Sequence, residues 1–154
     1  MIQKEFSLIH KMLKEKTSGF NYLSEFLKVL KPSSYKILHM RYIDQREWKR
    51  IRDNVDYKMS RKEKDKKEYI KIDKIQRLNT DKLKSIIDRK GCITISKFGI
   101  IASHSAWLIA QHSDHDREFQ KRYLKLMKNN QDDVFKEDIK KLEKRIRNSV
   151  IIIS

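Results

Sequence analysis

Residues Gly99–Gln120 read GIIASHSAWLIAQHSDHDREFQ. Two helices with a break between them are written into this stretch. Gly99 opens the first, and Ile101, His104, Leu108, then Gln111 or His112, and His115 recur at the three- and four-residue steps of one helical face. Asp116 is an N-cap residue type, and the helix it starts carries Phe119, Tyr123 and Met127. Trp107, Leu108 and Phe119 belong to a core on this reading. His112 remains as a polar centre, with Gln111 and Asp114 beside it.

Working outward, the same period recurs. Ile2, Phe6, Ile9 and Met12/Leu13 mark one helix, which stops near Ser18-Gly19. Tyr22/Leu23, Phe26/Leu27 and Leu30 mark another that ends before Pro32, because proline disfavours helix in the residue preceding it. Ser33 and Ser34 are N-cap candidates for the next, whose stripe is Ile37, Met40, Asp44, Trp48, Ile51 and Val55. Residues 57–68, YKMSRKEKDKKE, read as a solvated linker or an exposed helical end. Ile72, Ile75, Asn79, Leu83 and Ile86 mark a further helix. Asn79-Thr80-Asp81 either continues it or breaks it, with Thr80 capping a new helix over 81–88. Gly91 is a stop. Cys92–Phe98 alternates like a short strand or extended loop. Asn129–Asp133 is a polar turn, Phe135, Ile139, Leu142 and Ile146 mark a last helix, and Val150–Ile153 is an apolar tail.

These elements predict a mainly α, single-domain helical bundle of about six to seven helices, with a short extended segment near residues 92–98. Residues 1–38 form a helical extension on a core of residues 39–154. Composition agrees, since three Gly and one Pro in 154 residues leave few helix breakers. A chain of this length buries a core without needing disulfides or metals. Cys92 is the only cysteine, which excludes an intrachain disulfide and suits a reducing, cytoplasmic location. Between Gly91 and Ile93 it reads as a small buried hydrophobe. No signal peptide is visible, and no apolar run approaches the ~20 residues of a membrane span.

The formal net charge is +16, and residues 31–90 hold 20 Lys/Arg against 10 Asp/Glu. Such a balance attracts nucleic acid or an acidic partner. The Ile- and Lys-rich usage of an AT-rich genome produces the same composition on solvated faces. Arg41–Arg52, RYIDQREWKRIR, is a basic, aromatic-flanked candidate for phosphate contact, although no helix-turn-helix, zinc-finger or RNP-like pattern accompanies it.

Chemistry enters where polar residues interrupt apolar stripes. Asp44, Asn79 and His112 each do so on a different helix. A buried polar group left unpaired costs about 1–3 kcal/mol, and three of them are most simply satisfied by meeting. His112 then reads as a general base oriented by Asp44 or Asp114, with Gln45, Asn79 and Gln111 around it. A histidine satisfied structurally by the Asp116 turn is the competing reading. His112 pairs with His115 or Asp116 at spacings that could share a metal on a continuous helix. No second ligand cluster supports that, the break would spoil the spacing, and no metal site is assigned.

The stretch Gly99–Met127 resembles a bacterial domain family of unknown function. Its core pattern is approximately A-W-L-x-x-Q-H-x-D-x-D-x-x-F-Q, matched by Ala106, Trp107, Leu108, Gln111, His112, Asp114, Asp116, Phe119 and Gln120. Met40–Gln45 (MRYIDQ) and Asp73–Gly91 resemble two further family segments, so the likeness spans about residues 39–147. It implies a helical fold and a site map that adds Asp73 and Gln120 as ligand-binding candidates. It implies no reaction or cofactor. The family's usual proline is Arg117 here, and its terminal Y-G-T-Q-like motif has no counterpart before the chain ends in SVIIIS. The expectation is therefore a small-ligand or catalytic pocket centred on His112, and the alternative is a basic binding protein in which the motif is purely structural.

Overall fold

The computed structural model describes residues 27–28, 31–54 and 64–150. The helices expected over Ile2–Leu30 lie almost wholly outside these residues, as do residues 57–63 of the charge run 57–68 and all but Val150 of the apolar tail. Six helices follow in order: α1 (Pro32–Asn54), α2 (Lys64–Lys90), α3 (Ile95–Phe98), α4 (Ile100–Gln111), α5 (Arg117–Asn129) and α6 (Lys136–Val150). There is no strand among the described residues, and the mainly α bundle is as expected.

Pro32 is the first residue of α1, a position where its missing N–H costs nothing. Ser33 and Ser34, expected as caps, fall inside the first turn. Ser34 is buried and donates instead to the Phe98 carbonyl at 3.0 Å, tying α1 to the end of α3. The helix α2 passes through Asn79-Thr80-Asp81 without a break. Thr80 turns its hydroxyl back to the Gln76 carbonyl at 2.8 Å and lies 2.7 Å from the Ser113 hydroxyl. Ser113 in turn reaches the Ile109 carbonyl at 2.8 Å. Two hydroxyl protons serve these three contacts, so one is vacant at any instant.

The segment expected to be extended is so only in part. Gly91 takes φ +76°, a left-handed conformation that ends α2, and Thr94 is extended. Ile95–Phe98 then form one helical turn. The reason lies far along the chain: Asp133 accepts from the Ser96 backbone N–H at 2.8 Å, and its carbonyl accepts from Ile95 at 2.9 Å. A carboxylate from a distant loop thus satisfies donors that a short helix leaves open.

Contacts between helices fix their directions. Lys71 meets Glu47 and Asn79 meets Met40, so α1 and α2 are antiparallel. Ser34 meets Phe98, Arg41 meets Ser105 and Asp44 meets His112, so α1 and α4 run side by side in the same direction. His104 meets Asp138 and Trp107 meets Lys141, so α6 also runs parallel to α4, with α5 making the return. The helix α4 is therefore central. Ile100, Ile101, Ala102, Ser103, Ser105, Ala106, Trp107, Ile109 and Ala110 are all buried, as a helix surrounded on every side requires. Ile37, Leu83, Ile93, Tyr123 and Leu142 close the core around it.

Candidate functional site

His112 ends α4, and its backbone N–H closes the last turn onto Leu108 and Ile109. The parallel register brings Asp44 of α1 against it. The His112 Nδ1 lies 2.7 Å from Asp44 Oδ2. A carboxylate only accepts, so Nδ1 carries the proton of this contact, and a neutral ring held in that tautomer has its lone pair on Nε2. The Asp44 side chain is 4% exposed and that of His112 is 21% exposed. The pair is thus anchored at its acidic end and open at its basic one. Among the described residues Nε2 has no hydrogen-bond partner. Trp48, one turn beyond Asp44, packs against the imidazole edge to face, with centroids 6.4 Å apart. Its buried Nε1–H has no partner among the described residues, nor has the buried Oε1 of Gln111.

The other predicted site residues divide. Gln45 is exposed, and its amide reaches toward Asp44 Oδ2 at 3.5 Å, the outer limit of a hydrogen bond. Asn79 is buried and donates to the Met40 carbonyl at 3.2 Å, one turn of α1 before Asp44. It joins α2 to α1 rather than reaching the imidazole. Asp73 is bound to Arg77 on its own helix at 2.7 Å. Asp114 turns toward Arg145, which donates from Nε at 3.1 Å and again from Nη2, and toward Arg117 at 3.2 Å. Burial opposes its charge, but Arg145, Gln120 and Arg117 together hold its pKa below the ordinary carboxylate value. Asp44 is therefore the carboxylate that orients His112.

Gln120 has a clear structural task. Fully buried, its amide donates toward the Ala110 carbonyl at 3.0 Å, the Gln111 carbonyl at 3.2 Å and Asp114 at 3.3 Å. The Gln111 carbonyl is an acceptor that the end of α4 leaves open, while that of Ala110 also accepts from the Ser113 N–H at 3.2 Å. Asp116 caps α5, accepting from Phe119 N at 2.9 Å, and also accepts from Lys84 at 2.8 Å. Between the helices, residues 112–116 form a turn. The helical spacing that could have let His112 share a metal with His115 or Asp116 is lost there. Among the described residues no group of three or more His, Cys, Asp or Glu is placed to hold a metal. Burial, then the Arg77 charge, lowers the pKa of His115. Cys92 is buried, and desolvation pushes its thiol up to about 11, so it is no nucleophile at neutral pH.

A second histidine–aspartate pair lies two turns earlier on α4. His104 Nδ1 is 2.7 Å from Asp138 Oδ2, with side chains 14% and 5% exposed. The imidazole lies 4.7 Å from the Trp107 ring. His104 was visible as a member of the α4 stripe. Asp138 gave no such signal, because an acid in the first turn of a helix is ordinarily explained by the helix dipole. An open cavity of about 590 Å³ lies elsewhere, between Pro32, Tyr35, Lys36 and His39 of α1 and Ile86 and Arg89 of α2. None of the predicted site residues lines it. Compared with family models, curated proteins and solved structures, the chain gives no match.

Proposed function

We propose that the His112–Asp44 pair is the centre of a small-ligand site in which Nε2 of His112 accepts a hydrogen bond or a proton from the bound molecule. The observation that carries this reading is the 2.7 Å contact at Nδ1, combined with an Nε2 that has no partner among the described residues on a partly exposed ring. The exposed Nε2 is thereby left to solvent or to a ligand. Asp44 holds the tautomer and supports the imidazolium that proton transfer creates. Gln45 reaches Asp44, Trp48 packs on the imidazole, and Gln111 precedes His112 in the chain. The kinship read from Gly99–Met127, and the bacterial, cytoplasmic setting it brings, belong to this proposal.

The test uses p-nitrophenyl acetate, which reports a reachable neutral imidazole. The wild-type protein is expected to cleave it at least about tenfold faster than His112→Gln, with Asp44→Asn between them. Equal rates in wild type and His112→Gln would remove the proposal.

A second reading is favoured by Glu47. This buried carboxylate gathers Arg46 at 3.2 Å, Arg50 at 3.2 Å and Lys71 at 3.0 Å, and each cation stays about half exposed. The Lys71 hydrogen bond leads in holding the Glu47 pKa down. One acid thereby presents several cations on the α1–α2 face, a surface suited to phosphates or an acidic partner. Duplex DNA binding that weakens steeply with salt is the expected result. Its absence at low salt would dismiss this reading.

A further inference from the structure

Arg41 stands one turn before Asp44 on α1, about 4.5 Å along the axis. Both residues face α4, since one is bonded to Ser105 and the other to His112. The Arg41 side chain is partly buried. Among the described residues it makes one hydrogen bond, from Nη1 to Ser105 Oγ at 3.3 Å. The Ser105 hydroxyl proton is committed to the Ile101 carbonyl at 2.6 Å, which locks that oxygen as an acceptor toward the guanidinium. A guanidinium has five N–H donors in a planar fork, so most of its donors have no partner among the described residues.

Its charge is equally under-matched. Among the described residues no carboxylate lies within ion-pair distance of Arg41. Asp138 acts on it through space, but the Asp138 carboxylate is already bonded to His104 at 2.7 Å. Burial lowers the Arg41 pKa, and the Asp138 charge opposes that shift. A partly desolvated arginine with spare, fork-shaped donors is the usual receptor for a carboxylate or phosphate.

We propose that Arg41 is the anion anchor of the His112–Asp44 site, so that its ligand is a small molecule bearing a carboxylate or a phosphate. The inference rests on the ligand-site reading above and adds the chemical class of the ligand. Ser105 holds the guanidinium from behind, and the anion takes the donors Ser105 leaves. The remainder of the ligand extends along the α1–α4 seam toward Nε2 of His112.

The experiment is an NMR titration of the Arg41 Nε–Hε signal, assigned by its loss in Arg41→Lys. Inorganic phosphate and acetate are the two probes, each added at constant ionic strength. At least one is expected to shift the signal saturably, which also distinguishes the two anions. Arg41→Gln is expected to abolish saturable binding, monitored through backbone amides of α1 and α4, and Arg41→Lys to weaken it about tenfold. If circular dichroism shows Arg41→Gln unfolded, Ser105→Ala replaces it. That variant keeps the charge, releases the guanidinium and is expected to weaken binding several-fold. Shifts that stay linear and match those of exposed Arg77 and Arg122 for both probes would overturn the anchor. The two proposals fail separately. Saturable anion binding with an ester rate indifferent to His112→Gln leaves the anchor and removes the base. A His112-dependent ester rate without anion binding does the reverse.

Discussion

The two members of the His112–Asp44 pair differ in what their removal leaves behind. His112→Ala strands a carboxylate that is 4% exposed, with only the 3.5 Å contact from Gln45 in support among the described residues. Asp44→Ala strands an imidazole that is 21% exposed and can take water at Nδ1. The expected cost of His112→Ala is therefore about 2–3 kcal/mol and that of Asp44→Ala about 1 kcal/mol, with Asp44→Asn smaller still because the amide oxygen still accepts. Urea unfolding of the three variants measures this order. Costs of equal size would mean that Asp44 reaches water more readily than its burial indicates. Asp44 and His112 were legible because each breaks an apolar stripe. Asn79 was legible as a buried amide, but its partner was not: no sequence pattern marks one backbone carbonyl, that of Met40, as the acceptor. Arg41 was visible only as one cation of the basic stretch Arg41–Arg52, and nothing in that pattern marked it as facing α4, since an arginine beside a helix stripe is ordinarily solvated.

At the level of elements, the ends of helices carry the readable energetics. A Cβ at Gly91 would meet no atom within 4 Å, so only the backbone at φ +76° resists a side chain there. Gly91→Ala is expected to cost about 1–2 kcal/mol and Gly91→Asn less. Thermal unfolding checks both, and identical costs would place the strain elsewhere. At the other kind of helix end, the Asp116 pKa is depressed first by Lys84 and then by the Phe119 N–H. A carboxylate whose folded pKa lies below its unfolded one adds stability above the ordinary value of about 3.9. That contribution is lost as pH falls through the depressed folded value. Asp116→Asn keeps a cap but drops the charge, so its deficit should be largest near neutral pH and vanish in acid. A deficit independent of pH would show that Lys84 contributes nothing. The cap at Asp116 was legible from residue type and position. The continuity of α2 was not, because Thr80 has the chemistry of a cap and is diverted by the Gln76 carbonyl and Ser113. The turn at Ile95–Phe98 was hidden for a related reason, as the carboxylate that organises it sits at Asp133.

At the scale of the molecule, the side-by-side, same-direction pairing of α1 and α4 sets an order of assembly. Ser34 and Arg41 find their partners 64 residues away, and Asp44 finds His112 at 68. Antiparallel neighbours such as α1 and α2 come together as a hairpin, but α1 and α4 must wait for the whole of α2 and α3 to be placed between them. Closing a loop of that size carries its entropic cost before any contact returns it, and non-local contacts slow folding. The His112–Asp44 contact should therefore form after the rate-limiting step. His112→Ala is expected to speed unfolding while leaving the folding rate nearly unchanged, which stopped-flow chevrons would reveal. A slowed folding arm would instead put the pair in the nucleus. The period of the stripes foretold the number and nature of the helices, yet not which pairs run alike, because direction is decided by which distant faces match. No hairpin fragment of this chain can carry the site, and a nascent chain acquires the paired histidine only after α4 has emerged and docked. If the pair holds a ligand as proposed, that competence would arrive as a late, all-or-none event, and a bound ligand would act on the lifetime of the folded protein far more than on the speed with which it is made.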